Sequence, residues 1–561
     1  MTETRYVFIT GGVVSGLGKG VVTASIGKLF QFRGYSVDAI KIDPYLNVDP
    51  GTLNPIEHGE VFVCEKVWDF EPAPGYIFHI AEIDQDFGTY ERFLDKEMHP
   101  SNNITSGQIY LSVILRERIG RYLGKTIQVI PHITDEIKRR IRGVAERNKP
   151  DILLVEVGGT VGDIEAMPFL EAIRQFRLEE GIRRTALVHV TLVPLLETIG
   201  QLKTKPTQHS VKTLQSLGLQ PDVIVGRAVS ELPEDIKRKI SLFCSVPLEA
   251  VVSDPDVEVV YELPLIFEKQ GLGEYLCKLL DLGRERTLGE SYDKWRRLMD
   301  LYRNPRGRIV VGMPGKYVMI TDSYISINEA LRHAGAFNGV KVEIKYLDTE
   351  RFEKDPSYME EVLESVDGIL LTPGFGSRGV EGMIMTAEYA IKKNKPFLGI
   401  CFGAQLLFVA FSRVVMGLKK ANTTEVDPNT PHPVVDLLPE QKVVKLKGGT
   451  MRLGAHPIYI RKGTRLYEAY NKPIIYERFR HRYHIMPEYA LKAGKHGLTI
   501  SATDKSGRII NAIEIENKYW IVGVQFHPEF KSRPNRPSPI YKMFIQKIIN
   551  FKTRFKNDPK C

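Results

Sequence analysis

The sequence predicts an α/β protein made of two doubly wound, parallel-sheet domains. Three observations carry this prediction. Short β-branched runs alternate with amphipathic stretches of helix length in both halves of the chain, and such alternation builds βαβ units whose sheet is covered on both faces. A glycine-rich turn with a lysine, Thr10 to Gly20, separates the first run from the first helical stretch, where doubly wound sheets bind phosphate. Finally, 561 residues exceed what one hydrophobic core usually serves, so each half is expected to bury its own interior.

In the first half, strands are expected at 6–10, 37–42, 126–131, 152–157, 186–193 and 223–226, with helices at 21–33, 107–122, 135–147, 167–180 and 234–243. From about 267 to 306 the pattern turns to charged helical sequence, including Gly283-Arg284-Glu285-Arg286 and Asp293-Lys294-Trp295-Arg296-Arg297; it reads as a helical linker resting on the surface. A second α/β series starts at 308–312, passes a capping box at Ser326 and Glu329 and strands at 342–347 and 368–371, and reaches Cys401. The expected organisation is a first domain at 1–268, a linker at 269–305 and a second domain at 306–556. The end, from Lys552 with the tail 557–561, is expected to fray.

Composition bounds the function. The 43% hydrophobic and 26% charged fractions are those of a soluble globular protein. A net charge of +9 without a basic block suits anionic small molecules and gives no case for nucleic acid. The five cysteines (Cys64, Cys244, Cys277, Cys401, Cys561) are scattered, with no CxxC pair, which argues against a disulfide framework and a thiolate zinc site. No signal-peptide pattern opens the chain and no apolar run approaches the roughly 18 residues of a membrane span. The expectation is a cytoplasmic enzyme with no membrane partner.

Cys401 lies in Gly399-Ile400-Cys401-Phe402-Gly403, after the apolar run Pro396-Phe397-Leu398 and before the helical stretch that begins at Ala404. That order reads as strand, sharp turn, helix, with a nucleophile at the elbow and glycines on both sides relieving crowding. Val524-Gln525-Phe526-His527-Pro528-Glu529 supplies the base and orienting carboxylate that a thiolate mechanism needs. Together they read as a Cys401–His527–Glu529 triad.

The turn at 10–20 departs from the strict phosphate-loop pattern. Val13 stands where glycine is wanted, and Gly20 replaces the Ser/Thr that would contact magnesium. A plain packing turn is the bland alternative; if phosphate binds, carboxylates elsewhere must hold the metal, and Glu156 at a strand end is well placed. Two further polar stretches, Gly158 to Glu165 and Lys203 to Ser210, place acids, lysines and hydroxyls where a triphosphate could be read. Singly each could be a solvated loop; their co-occurrence favours a nucleotide site.

Taken with Lys41-Ile42-Asp43-Pro44-Tyr45, His58-Gly59-Glu60-Val61-Phe62-Val63, Tyr90-Glu91-Arg92-Phe93, Gln128 to Thr134 and Gly449 to Gly454, these blocks resemble, in order, those of the CTP synthases. Members of that family are glutamine-dependent amidotransferases that make CTP from UTP. The resemblance implies a P-loop NTPase-like synthetase domain and a class I glutaminase domain. It implies ATP binding by Ser15, Gly16, Leu17, Gly18, Lys19, Gly20, Asp86, Asp256 and Val257, with Lys19 on the transferred phosphoryl group and Asp86 and Glu156 on Mg2+. Asp163, Ile164 and Glu165 would discriminate the cytosine of feedback-inhibiting CTP; Ser15, Lys203, Thr204, Lys205, Pro206, Thr207, Gln208 and Lys239 would hold UTP or CTP. Gly374, Phe402, Gly403, Ala404, Gln405, Glu425 and Arg482 would surround glutamine. It further implies a 4-phosphoryl-UTP intermediate, a glutamyl thioester, internal passage of ammonia, GTP as activator and a homotetramer that can form filaments.

Two rivals are weaker. An amide-forming ligase such as a cobyrinic acid diamide synthase would not call for the 163–165 and 203–210 blocks, and an inactive filament subunit would not keep the triad. Three departures from the family pattern stand out. Thr372-Pro373-Gly374-Phe375-Gly376 replaces Pro-Gly-Gly-Phe-Gly, and a proline has no N–H to offer an oxyanion. Pro255 stands where a lysine is common near the adenine. Residues 66–82 look like an insertion ahead of Asp86, carrying Trp68, Phe70 and Phe78, and read as a surface excursion or a contact between subunits.

Overall fold

A computed structural model describes residues 3–282, 287–316, 321–443 and 448–557. The charged run 283–286 and the tail from 558 lie outside the described residues. The chain divides into two compact units: one holds the residues up to Pro50 with Trp68–Asp300, the other holds Gly51–Val67 with the residues from Leu301. This division differs from the boundaries read at 268 and 306, because the expected linker packs as part of the first unit. Its helix Glu290–Arg303 buries Trp295 and Met299 amid its charges. Trp295 Nε1 donates to Tyr261 O at 2.8 Å, and Lys28 Nζ stands 4.4 Å from the Trp295 ring. Two apolar residues one turn apart give even a highly charged helix a face to bury.

The first unit carries a seven-stranded sheet in the order Val251–Pro255, Val223–Ala228, Thr185–Leu192, Arg5–Gly11, Ile152–Val157, Val37–Asp43, Asn103–Thr105. All its pairings are parallel. Every residue of Ile152–Val157 is buried, as a strand covered on both faces requires. The apolar run at 126–131 is not a strand. It leads into an irregular turn, Val129–Ile133, ahead of the helix Thr134–Asn148. Val129 and Ile130 are about half exposed, and Pro131 has no N–H for a ladder, so β-branched composition alone misled here.

Residues 66–82 form most of a hairpin, Phe62–Ala73 with Tyr76–Ile83, turning at Gly75 in the left-handed region (φ 85°). It is anchored as well as exposed: Phe70 is buried while Tyr76, Ile77 and Phe78 face out.

The second unit carries a nine-stranded sheet, parallel through Val340–Asp348, Gly307–Gly315, Gly368–Leu371, Phe397–Ile400 and Ile521–Val524. It continues antiparallel through Ile510–Ile515, Leu498–Thr503, Arg452–Ile460 and Ile474–His481. Period-2 alternation sends Ile369 and Leu371 into one core cluster and Leu370 into the other.

The capping box is displaced. The helix starts at Ile325 with Tyr324 as its cap residue, which places Ser326 inside the first turn. Glu60 receives Ser326 N at 3.3 Å and the Ser326 hydroxyl, while Glu329 pairs with Arg332. A carboxylate distant in sequence thus serves the helix start. The C-terminal helix continues to Asn557, with Lys552 paired to Asp367 at 2.8 Å, so fraying does not begin at 552. Among the described residues no helix is long and apolar enough to cross a membrane.

Candidate active sites

In the second unit the elbow follows from local sterics. Cys401 adopts φ 51°, ψ −104°, a conformation that costs a non-glycine residue on the order of 1–3 kcal/mol. The turn closes only with glycine on both sides: a Cβ at Gly399 would stand 2.7 Å from Gly403 O, and one at Gly403 would stand 2.3 Å from Leu371 O. Cys401 N is held by Val524 O at 2.7 Å, which brings Cys401 to the strand that precedes His527. His527 Nδ1 and Glu529 Oε1 are 2.7 Å apart, and Cys401, His527 and Glu529 are all buried.

His527 Nε2 is buried and makes no hydrogen bond of ordinary geometry, while the Cys401 sulfur lies near enough to act on the ring's charge. Burial pushes the His527 pKa down, but the Glu529 carboxylate and the Cys401 sulfur outweigh it and raise it to about 10. The sulfur also receives Gln525 Nε2 at 3.5 Å. The cavity beside it is about 60 Å3 and is lined by Glu60, Pro373, Gly374, Cys401, Arg480 and His527 among others. That is room for a few waters.

The loop that carries Pro373 is tied on two sides. Lys316 Nζ donates to Phe375 O at 2.9 Å and to Gly376 O, and lies 4.7 Å from the Phe402 ring. Burial lowers its pKa to about 8. Glu425 Oε1 accepts from Gly376 N at 2.7 Å, and burial raises its carboxyl above the usual range. Gln405 Nε2 donates to Tyr483 O at 2.8 Å and Gln525 Oε1 at 3.0 Å. Arg482 Nη1 donates to Gln441 Oε1 at 2.6 Å and Thr450 Oγ1 at 3.0 Å. Phe402, Gly403 and Ala404 form the first turn of the helix Phe402–Val414, whose amino end carries partial positive charge next to Cys401. Sequence reasoning missed Lys316, Gln525 and Glu60. Their contacts are long-range; Gln525 and Glu60 lay inside recognised strings, but nothing local marked what they touch.

In the first unit the three polar stretches meet. Lys19 Nζ donates to Gly159 O at 2.8 Å and Val161 N to Gly11 O at 2.8 Å, which joins the phosphate loop to the 158–165 turn. His189 bridges Thr10 Oγ1 at 2.9 Å and Ser210 Oγ at 2.7 Å. Burial and then Lys19 depress its pKa to about 3, so it is a neutral spacer. Ser210 belongs to the helix Lys205–Ser216, and Thr207 Oγ1 donates to Leu192 O at 3.1 Å; Lys205, Lys239, Ser15 and Gly16 are exposed, and Lys203 is half-buried. Asp163 Oδ2 accepts from Thr160 N at 2.7 Å, whereas Ile164 is 84% exposed, an unusual place for an isoleucine unless something covers it. Asp256 pairs with Arg227 at 2.6 Å. It and Val257 follow Val251–Pro255, which is separated from Arg5–Gly11 and its loop by two intervening strands.

Lys41, unassigned by sequence reasoning, holds the acids together. Its Nζ donates to Glu156 Oε1 at 2.8 Å and to Asp86 Oδ2, with Asp84 Oδ1 at 3.9 Å. Tyr90 OH donates to Glu156 Oε2 at 2.5 Å. Burial raises Asp43 to about 6 and Asp84 well above the usual range; Asp86 is buried too, but Lys41 holds it below that range. An all-oxygen set beside a phosphate loop fits Mg2+, which takes one or two carboxylates and completes its shell with water and substrate phosphates. Among the described residues no cluster of three or more His, Cys, Asp or Glu is arranged to hold a metal by itself.

Residues 5–282 match the family model described as CTP synthase N-terminus, and residues 319–547 that described as glutamine amidotransferase class-I. The chain is 52% identical over 551 residues to a CTP synthase of Pyrococcus abyssi, covering 98% of both chains. It is 50% identical over 555 residues to one of Thermus thermophilus, again covering 98% of each. Among solved structures, the glutaminase domain of Trypanosoma brucei CTPS with bound acivicin is 33% identical, over 43% of this chain and 94% of that one, with a TM-score of 0.41.

Proposed function

Because the chain belongs to the CTP synthase family, ligases that use ATP and glutamine to convert UTP to CTP, we propose that the two residue clusters divide this reaction between them. The first unit is the synthetase half and the second the glutaminase half. Cys401 attacks the glutamine carboxamide, His527 relays its proton to the departing ammonia, and Glu529 holds the imidazole. Water then clears the thioester. The Phe402 N–H and the Gly374 N–H receive the oxyanion, and Gln405, Glu425 and Arg482 position the amino acid.

In the first unit Lys19 stabilises the phosphoryl group passing from ATP to O4 of UTP, and ammonia displaces phosphate from the 4-phosphoryl-UTP so formed. Asp86 and Glu156 would hold Mg2+, which would supply charge neutralisation there. Ser15, the 203–208 block and Lys239 hold the UTP triphosphate, Asp163 to Glu165 read the pyrimidine, and Asp256 and Val257 approach the adenine. Family membership also supports GTP activation, a homotetramer able to polymerise and a cytoplasmic setting.

The observation that carries the reading is the buried His527–Glu529 pair facing a strained Cys401. It is tested by Cys401→Ala, which removes glutamine-dependent CTP formation and leaves the ammonium-dependent reaction. Equal loss of both activities in a folded variant would refute it.

A further inference from the structure

From Trp68 onward, the hairpin builds something in the first unit that neither candidate active site uses. Between its first strand and the helices Ser106–Arg118 and Thr134–Asn148 lies a cavity of about 340 Å3, within the size of small-molecule pockets. Its walls include Trp68, Phe70, Arg116, Arg139, Arg140 and Arg147.

The charges of this wall do not cancel. Arg116 Nη1 at 2.7 Å, Arg139 at 2.7 and 2.6 Å and Arg140 Nε at 3.0 Å all donate to the carboxylate of Glu136. Glu136 is buried, yet these guanidiniums hold it down to about 2, so it is ionised and neutralises one of the three. Arg147 donates to neutral acceptors, Ser101 Oγ and Asn102 Oδ1, the latter at 2.6 Å. Four guanidiniums against one inner carboxylate leave three positive charges. Asp69 and Glu71 also border the cavity, but Asp69 is paired with His79 at 2.8 Å and Glu71 accepts from Gly75 N at 3.1 Å, both within the hairpin. Counting both acids still leaves an excess of one.

The aromatic wall is equally specific. Phe70 is buried and packs 5.1 Å from Trp68. The Arg140 guanidinium lies 4.7 Å from the Phe70 ring and 5.6 Å from the Trp68 ring, held in place by its bond to Glu136. Trp68 itself is half-buried. The cavity is also distinct from the phosphate loop: Arg147 and Ser101 lie just ahead of the amino ends of Ile152–Val157 and Asn103–Thr105, whereas the loop follows the carboxyl end of Arg5–Gly11.

We propose that this cavity is a second binding site, for a phosphorylated small molecule whose phosphate oxygens are taken by Arg116, Arg139 and Arg147 and whose remaining body lies over Trp68. Guanidinium forks match phosphate oxygens in pairs, and a phosphate dianion answers a cationic excess that one carboxylate cannot. The inference does not depend on the roles proposed for the two active sites.

The chain has three tryptophans, of which Trp295 and Trp520 are 4% and 0% exposed, so Trp68 is the natural fluorescent reporter. Sodium pyrophosphate and ADP are titrated separately into the full-length protein, with NaCl at matched ionic strength as control and Trp68→Phe as the blank. Each probe should change Trp68 emission saturably, and chloride should not. Arg139→Gln, at a side chain 56% exposed, should weaken the response at least tenfold while leaving thermal unfolding and glutamine-dependent CTP formation unchanged. Tighter binding of ADP than of pyrophosphate would assign a ring over Trp68, and equal binding would assign the phosphate alone; either supports the site. Absence of a saturable change for both probes up to about 10 mM would overturn it. So would a response that persists in Trp68→Phe or is unaltered in both Arg139→Gln and Arg147→Gln.

Discussion

The space that a side chain on Gly20 would need is taken by Asp86: a Cβ there would stand 2.1 Å from Asp86 Oδ1 and 2.6 Å from its Cγ. In ordinary phosphate loops a Ser or Thr at this point gives its hydroxyl to magnesium. Here a carboxylate from the helix Asp86–Leu94 occupies that place, so the missing hydroxyl and the added acid are one structural exchange. Gly20→Ser is therefore expected to displace Asp86 and lower ammonium-dependent CTP formation at least tenfold, about 1.4 kcal/mol of barrier, with glutamine hydrolysis retained. A rate within twofold of the parent would show that the position of Asp86 is immaterial to the chemistry.

Lys19 and Lys41 are both buried. Burial, and then the neighbouring Lys41 charge, lowers the Lys19 pKa. Lys41 is engaged by Asp86 and Glu156, whereas Lys19 Nζ donates to the neutral Gly159 O, which leaves its charge to meet a transferring phosphoryl group. Lys19→Ala should cost ammonium-dependent synthesis about 10³-fold, measured by the absorbance change on CTP formation. Near-parental rates would remove Lys19 from the phosphoryl-transfer step.

Much of the fold was legible because its signals are local. Gly368–Leu371 and Met167–Glu180 have the bounds their periodicity gives, and the elbow glycines announce the turn they permit. What stayed hidden depends on contacts distant in sequence. Lys316 acts through backbone carbonyls 59 and 60 positions away, and Glu60 serves a helix start 266 positions on. The apolar run at 126–131 read as a strand because composition reports apolarity without saying whether a sheet edge is there to receive it. Arg116, Arg139, Arg140 and Arg147 drew no reading from the sequence: they belong to two helices, and they share a cavity wall only with the hairpin beside them.

The raised His527 pKa, about 10, has a pH consequence whose sign is fixed. Against an ordinary value near 6.5, the folded protein keeps this proton; the associated stabilisation is complete below about pH 6.5 and is lost as pH rises through about 10. Thermal stability should therefore decline between about pH 7 and pH 10 more steeply in the parent protein than in His527→Ala, followed as Tm against pH. Parallel profiles in the two proteins would mean that the folded state does not hold this proton.

Pro373 poses the sharpest question at the glutaminase site. It lines the cavity beside Cys401 and has no N–H, so the oxyanion must be met by Phe402 N–H and a second donor, for which Gly374 is next in the chain. The loop just beyond is fixed by Lys316 on the carbonyls of Phe375 and Gly376 and by Glu425 on Gly376 N. A loop anchored there and stiffened by a proline can aim the Gly374 amide without help from position 373. On that argument Pro373→Gly should change the kcat of glutamine hydrolysis by less than about tenfold, under roughly 1.4 kcal/mol. If the proline has instead deleted a needed donor, restoring an N–H at 373 should raise kcat by 10²–10³, the magnitude of one oxyanion contact. A gain of that size, with ammonium-dependent synthesis unchanged, would move the second donor from Gly374 to position 373. It would also mean that this chain holds an intact Cys401–His527–Glu529 constellation over a weakened oxyanion site.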